Sequence, residues 1–309
     1  MSTEITRLRG ATSADLLAIP VIMLGFHPRE SCVVLGVRES RVEFCARMDL
    51  DWFTSGFTFG DVAEQLEHAI NSCGGCTVAV LAYSADPEAA AIAVEELVDV
   101  IGEDDVAEAL VTDGNRFWYA HPGLLLPPEG ISYSYASSNF AAQAVYSGVN
   151  VTACREDAVA EVQPPDEADS AGIEETVEAT TLMIEALTGD QRWALLANCM
   201  DSLEPLGTAA VEFAVLLQEE EHFAEVLARL NTCTAARLRP RLAEARRTSC
   251  PSVAANVVSL LALACWLDGE GAQQSDCLGQ LETLDPQHPL MRVLKRMHKQ
   301  AIPPKKWEA

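Results

Sequence analysis

Residues Gln163-Pro164-Pro165-Asp166-Glu167-Ala168-Asp169-Ser170 divide this chain into two kinds of sequence. The stretch is polar, acidic and proline-bearing, which marks a linker. Before it, short β-branched runs alternate with helical stripes. After it no segment has strand character. This division predicts an α/β domain over 1–162, a linker over 163–170 and an all-helical domain over 171–309. The 309 residues suffice for two cores.

In the first part, Thr12-Ser13-Ala14-Asp15 has the form of a capping box. A helix is expected to follow to about Met23, bent or broken at Pro20 and stopped by Gly25. Ser31 to Val37 is a continuous apolar run and reads as a buried strand. Val42 to Met48 alternates with period two, so the pair is a hairpin. Residues 61–71 carry Val62, Leu66, Ala69 and Ile70 on one helical stripe. Thr77 to Tyr83 is a second buried strand. Asp86-Pro87-Glu88 opens a helix to about Ile101, with Asp as N-cap and Pro in the first turn. Val106 to Thr112 and Arg116 to Ala120 flank the turn dipeptide Asp113-Gly114. His121 to Ser132 reads as loop, and Ser138 to Tyr146 as helix. Strand–helix alternation with hairpins at both ends predicts a mixed sheet flanked by helices.

The second part predicts helices near 172–187, 190–201, 206–218, 220–231, 234–248, 252–268, 270–283 and 289–300. Antiparallel pairs of such helices are similar in shape to helical-repeat proteins, although no firm sequence period is present. The longest apolar run, Val253 to Leu267, is interrupted by Asn256 and Ser259 and reads as a buried helix too short for a bilayer.

Net charge is −25. Neither part is drawn to a phosphate backbone or an anionic membrane. Solubility and self-repulsion account for such acidity; an acidic face that imitates nucleic acid for a basic partner is the alternative. Basic residues gather at Arg237, Arg239, Arg241, Arg246 and Arg247, and at a C-terminus holding Arg292, Lys295, Arg296, Lys299, Lys305 and Lys306. They serve either their own acidic faces and helix C-termini or a partner's acidic surface. Arg237, Arg241, Arg246, Lys305 and Trp307 are the candidates for partner contact. Trp307 either tucks into its own chain or presents itself to a partner.

The N-terminus lacks the basic and apolar regions of a signal peptide. The ten cysteines are therefore expected to be reduced thiols of a cytoplasmic protein, most of them acting as small core hydrophobes. Cys73-Gly74-Gly75-Cys76 closes a helix and precedes a strand, the reverse of a thioredoxin-like motif. It also lacks the remaining ligands of a zinc site. No cofactor or metal is implied, and no phosphate-loop, dinucleotide, zincin or hydrolase signature occurs.

The loop Gly25-Phe26-His27-Pro28-Arg29-Glu30-Ser31 carries His27, Arg29 and Ser31 as a candidate ligand site. Arginine offers a fork of donors and histidine shuttles protons. Against this, the loop precedes the N-terminal end of a strand, whereas ligands of open α/β sheets sit beyond carboxyl ends. A rigid connector is the competing reading. Arg47 and Asp49, two apart on a strand, share one face. They form either a structural ion pair or the lining of a polar pocket.

Three stretches carry a family resemblance. The first runs from Leu8-Arg9-Gly10 through Ala14-Asp15-Leu16-Leu17-Ala18-Ile19-Pro20 and Leu24-Gly25-Phe26-His27-Pro28-Arg29-Glu30-Ser31 to Arg47-Met48-Asp49-Leu50. The second is Asp113-Gly114-Asn115-Arg116-Phe117-Trp118-Tyr119 with Pro128-Glu129-Gly130. The third is Leu261 to Ala272, followed by Asp285-Pro286 and Pro304 to Trp307. Together they resemble the actinobacterial family called domain of unknown function 4192, over nearly the whole chain. Cys32 stands where the resemblance implies a plain aliphatic, which marks a divergent member. The resemblance implies no activity, substrate or cofactor.

Two functional expectations follow. The first is a non-enzymatic interaction or regulatory module, with the α/β part as platform or small-ligand sensor and the helical part as surface for a partner protein or a second copy. The second is a small-molecule or nucleotide-binding enzyme, which requires His27, Arg29, Ser31, Arg47 and Asp49 to meet in one cleft.

Overall fold

A computed structural model describes residues 12–54 and 59–307. Leu8-Arg9-Gly10 lies outside the described residues. The chain forms two compact units that meet in sequence between Asp157 and Ala158.

The first unit opens with α1 (Ser13–Leu24). Thr12 accepts a hydrogen bond from the Asp15 backbone, and Asp15 accepts one from the Thr12 backbone. Gly25 ends the helix in the left-handed region at φ 74, where a side chain would be strained. Of the two expectations for Pro20, a bend or a break, the helix shows no break: α1 runs through Pro20. The lost helical hydrogen bond costs about 3 kcal/mol in an isolated helix. Burial of Leu17, Ala18, Pro20 and Val21 against the sheet offsets it.

There follow β1 (Ser31–Arg38), β2 (Arg41–Asp49), the single turn α2 (Asp51–Thr54), α3 (Phe59–Cys73), β3 (Thr77–Tyr83), α4 (Pro87–Ile101), β4 (Val106–Thr112), β5 (Arg116–Tyr119), β6 (Ile131–Ser132) and α5 (Asn139–Tyr146). β6 lies in the stretch expected to be loop. Glu39 and Ser40, at φ 49 and 61, make the two-residue turn of the first hairpin. The six strands form one mixed sheet in the order β2-β1-β3-β4-β5-β6. Among the described strands only β3 and β4 are parallel neighbours; β1 is antiparallel to both β2 and β3.

Period-two alternation sorts the strands' side chains onto two faces. Cys32, Val34, Val78, Val80 and Val111 join the residues of α3 and α4 in one core. Val33, Leu35, Ala79, Leu81 and Leu110 join Leu17 of α1 in the other. Because β1 runs against β3, Ser31 lies opposite Tyr83, and Tyr83 lies opposite Thr112. The amino end of β1 therefore sits at the carboxyl edge of the parallel pair.

α6 (Arg155–Val159) spans the seam. Val159 and Val162 are part of the helical core, and Gln280 donates to the Val162 carbonyl. The helical unit thus begins a turn upstream of Gln163. Its helices among the described residues are α7 (Ser170–Glu185), α8 (Gly189–Asp201), α9 (Ala209–Leu216), α10 (Glu220–Arg229), α11 (Ala235–Arg247), α12 (Pro251–Asp268), α13 (Gly271–Leu284) and α14 (Met291–Lys299). By length and composition alone α12 is long and apolar enough to cross a membrane, more than the interrupted run suggested. In the fold 72% of it is buried, as the central helix of this core.

Candidate functional site

A cleft of about 400 Å³ opens at the carboxyl edge of β3 and β4. Three segments converge there: the loop from His27 to Glu30, the β3–α4 connection Ser84-Ala85, and the β4–β5 turn Thr112-Asp113-Gly114. Val21, Tyr83, Tyr133 and Tyr135 complete the wall. The sequence-based objection to the loop 25–31 is overturned by topology. The loop does precede a strand, but that strand is antiparallel to the pair whose carboxyl ends bind ligands in open α/β sheets.

The local chemistry holds the loop in place. Phe26 is buried and bridges Thr152 in parallel fashion. The Thr152 backbone N–H donates to the Gly25 carbonyl at 2.7 Å, and the His27 backbone N–H donates to the Thr152 carbonyl at 3.3 Å. Glu30, at φ 41, occupies a region few non-glycine residues adopt. Its carboxylate accepts from the Ser84 hydroxyl at 2.8 Å and from the Ala85 backbone at 2.9 Å. That clamps the loop to the start of α4. Across the cleft, Asp113 accepts from the backbones of Asn115 and Arg116 at 2.8 and 2.6 Å, an Asx-type turn. The Thr112 hydroxyl donates to the Arg116 carbonyl.

His27 meets Tyr135 edge to face, with centroids 4.8 Å apart. Burial and the neighbouring Arg29 charge hold its pKa below the ordinary histidine value, so the ring is neutral at pH 7. Burial also raises the Tyr133 and Tyr135 phenols, which keep their protons. Arg29 is exposed, and among the described residues its guanidinium has no hydrogen-bond or ion-pair partner.

The five sequence candidates converge only in part. His27 and Arg29 line the cleft. Ser31 is fully buried beneath it, on the same sheet face as Tyr83. Arg47 and Asp49 share that face, as their spacing predicts, but pair with each other at 2.7 Å. Arg47 lies 5.9 Å from the Phe26 ring centroid and reaches the Arg29 carbonyl at 3.5 Å. The two are therefore support for the loop rather than cleft lining. Sequence reasoning read Glu30 only as a member of the loop, and missed Ser84, Thr112, Asp113 and the two tyrosines. Ser84 and Asp113 lie just after strands, the positional cue that was available; Tyr133 and Tyr135 follow the short β6 that periodicity does not register.

Two of the arginines named for partner contact, Arg241 and Arg246, are buried within their own unit. Arg241 is buried and donates to the Ser202 carbonyl at 3.1 Å through Nε, and to the same oxygen through Nη2. That carbonyl lies just past the end of α8, where such groups lack helical partners. Arg246 is buried against Gln280 at 2.8 Å. Arg237 faces solvent and pairs with Asp201 at 3.4 Å. Trp307 donates to the Leu230 carbonyl at 3.1 Å and meets Trp266 edge to face, so it tucks into its own unit. The Lys305 side chain lies outside the described residues.

All ten cysteines are free thiols. Cys73 and Cys76 flank Gly74 and Gly75, both left-handed at φ 67 and 91. Among the described residues no three metal-ligating side chains gather.

The fold and cleft define a two-unit protein with a mixed-sheet α/β first unit, open at one edge, and an all-helical second unit. The chain belongs to the family described as domain of unknown function DUF4192, whose model matches residues 14–305. No curated protein and no solved structure matches it.

Proposed function

We propose that this chain is a non-enzymatic, ligand-responsive regulatory module of the cytoplasm. The first unit takes a small molecule in the cleft, and the helical unit serves a protein partner. The observation that carries this reading is the position of the cleft, at the carboxyl edge of the parallel strand pair. Its volume of about 400 Å³ falls within the range of small-molecule sites, about 300–1,000 Å³. Binding is favoured over turnover because the two carboxylates of the cleft already accept hydrogen bonds from their own loops. They build walls rather than wait as acid and base. The net charge of −25 speaks against a nucleic-acid or anionic-membrane partner.

The test is a ligand screen by thermal shift and NMR on the full chain and on Ala85→Trp. Ala85 is exposed on the cleft rim, and its backbone N–H to Glu30 survives the change. Compounds should bind the native chain and lose binding in Ala85→Trp. Compounds that bind both forms equally, or a chemical turnover of the bound compound, would refute the proposal.

A further inference from the structure

Resting on that reading, we propose that the ligand is a small anion carrying a flat ring, its negative group held by Arg29 and its ring by the wall of Tyr133 and Tyr135. Among the described residues, one charged group that lines the cleft lacks a partner. Glu30 is engaged by Ser84 and Ala85, and Asp113 by two backbone N–H groups. Arg47 is neutralised by Asp49. Arg29 is the arginine that lines the cleft, and among the described residues its exposed guanidinium has no hydrogen-bond or ion-pair partner. In a chain of net charge −25 a cation is easily paired internally, so its freedom beside two carboxylates follows from those carboxylates being occupied. A guanidinium presents a planar fork that matches carboxylate or phosphate oxygens.

The rest of the wall is aromatic and apolar. Tyr133, Tyr135, His27, Val21 and Pro28 contribute rings and aliphatic surface. Rings of this kind receive a flat partner by stacked or edge contacts worth about 0.5–1.5 kcal/mol each. His27 is neutral, so it adds hydrogen-bonding capacity for the ring's polar edge and no second positive charge. A second hollow, of about 270 Å³ on the outer side of α5, has neither a charge nor a second wall.

The experiment is isothermal titration calorimetry of the full chain at low ionic strength, where the ion pair is least screened. The probes are phenyl phosphate and AMP, their neutral counterparts phenol and adenosine, and inorganic phosphate. Each anionic ring compound should bind at least about ten-fold more tightly than its neutral counterpart and than phosphate. Arg29→Gln should erase that advantage, and Arg29→Lys, which keeps charge but not the fork, should retain part of it. Ala85→Trp should abolish binding of all ring compounds. If neutral compounds bind as well as anions, or Arg29→Gln leaves the ratio unchanged, while Ala85→Trp still blocks binding, the ligand class is wrong and the cleft reading survives. If Ala85→Trp has no effect on compounds that bind, the cleft reading itself fails. If no anionic ring compound binds at about 1 mM, this ligand class is overturned.

Discussion

In the helical unit Arg239, Arg241 and Arg246 each end on a carboxylate, carbonyl or amide of their own unit, whereas in the sheet unit Arg29 stands at a cleft without such a partner among the described residues. The difference follows from how each architecture disposes of backbone polar groups. A helix leaves four carbonyls unmet at its end, and a bundle buries several such ends near one another. Long donors such as Arg241 at Ser202 meet them. A sheet satisfies its strands by pairing, and its edge loops here are met mainly by short groups, Glu30, Asp113 and Thr152, with Arg47 reaching one loop carbonyl. Cations on those loops are left free for other work.

Leu263 lies fully buried in α12, the axis of the helical core. Leu263→Ala should destabilise that unit by about 2–5 kcal/mol, read as a lower urea midpoint by circular dichroism. A smaller loss would mean that the bundle repacks around its axis.

Alkaline pH should weaken both units alike, since burial pushes the thiols of Cys32 in the sheet and Cys199 in the bundle up to about 12. A raised thiol pKa stabilises the fold fully below the unfolded value, near 8.5, and the contribution is lost as pH rises from there towards 12. By pH 10 each such thiol should cost about 2 kcal/mol. Urea titrations at neutral and alkaline pH, with Cys32→Ala and Cys199→Ala as controls, measure it.

Arg241→Ala strips the Ser202 carbonyl of its donor and should cost about 1–3 kcal/mol. Arg29→Ala should change stability by no more than about 0.5 kcal/mol. Equal costs for the two would dissolve the contrast between the units. Between these lies His27, whose pKa is depressed. Its contribution is present above the unfolded histidine value and lost as pH falls through the folded one. An NMR titration of the His27 ring should give a midpoint below that of an exposed histidine.

Local chemistry made most elements readable. The Thr12 box, the Asp86 cap and the turn at Asp113-Gly114 mark ends by side-chain hydrogen bonds that need only neighbours in sequence. Arg47 and Asp49 were legible as a same-face pair for the same reason, since alternation is a local property. Strand direction is not. Nothing between Ser31 and Val37 announces that the strand runs against β3, and that fact alone carries His27 and Arg29 to the ligand edge. Nor does composition tell whether Arg241 faces a partner or a carbonyl thirty-nine residues away. That the helix continues through Pro20 rather than ending there depends on the residue's burial, a tertiary quantity.

The bond between Thr152 and Gly25 joins residues 127 apart, and it has a bearing on when the cleft comes into being. Closing so wide a loop is entropically slow. During synthesis the segment at His27 waits for nearly the whole first unit to emerge before it meets its tether. The strands β1 and β2, joined by a two-residue turn, have no such delay. The site should therefore mature last in its unit. Pulse-labelled hydrogen exchange should find the His27 amide protected after those of the first hairpin.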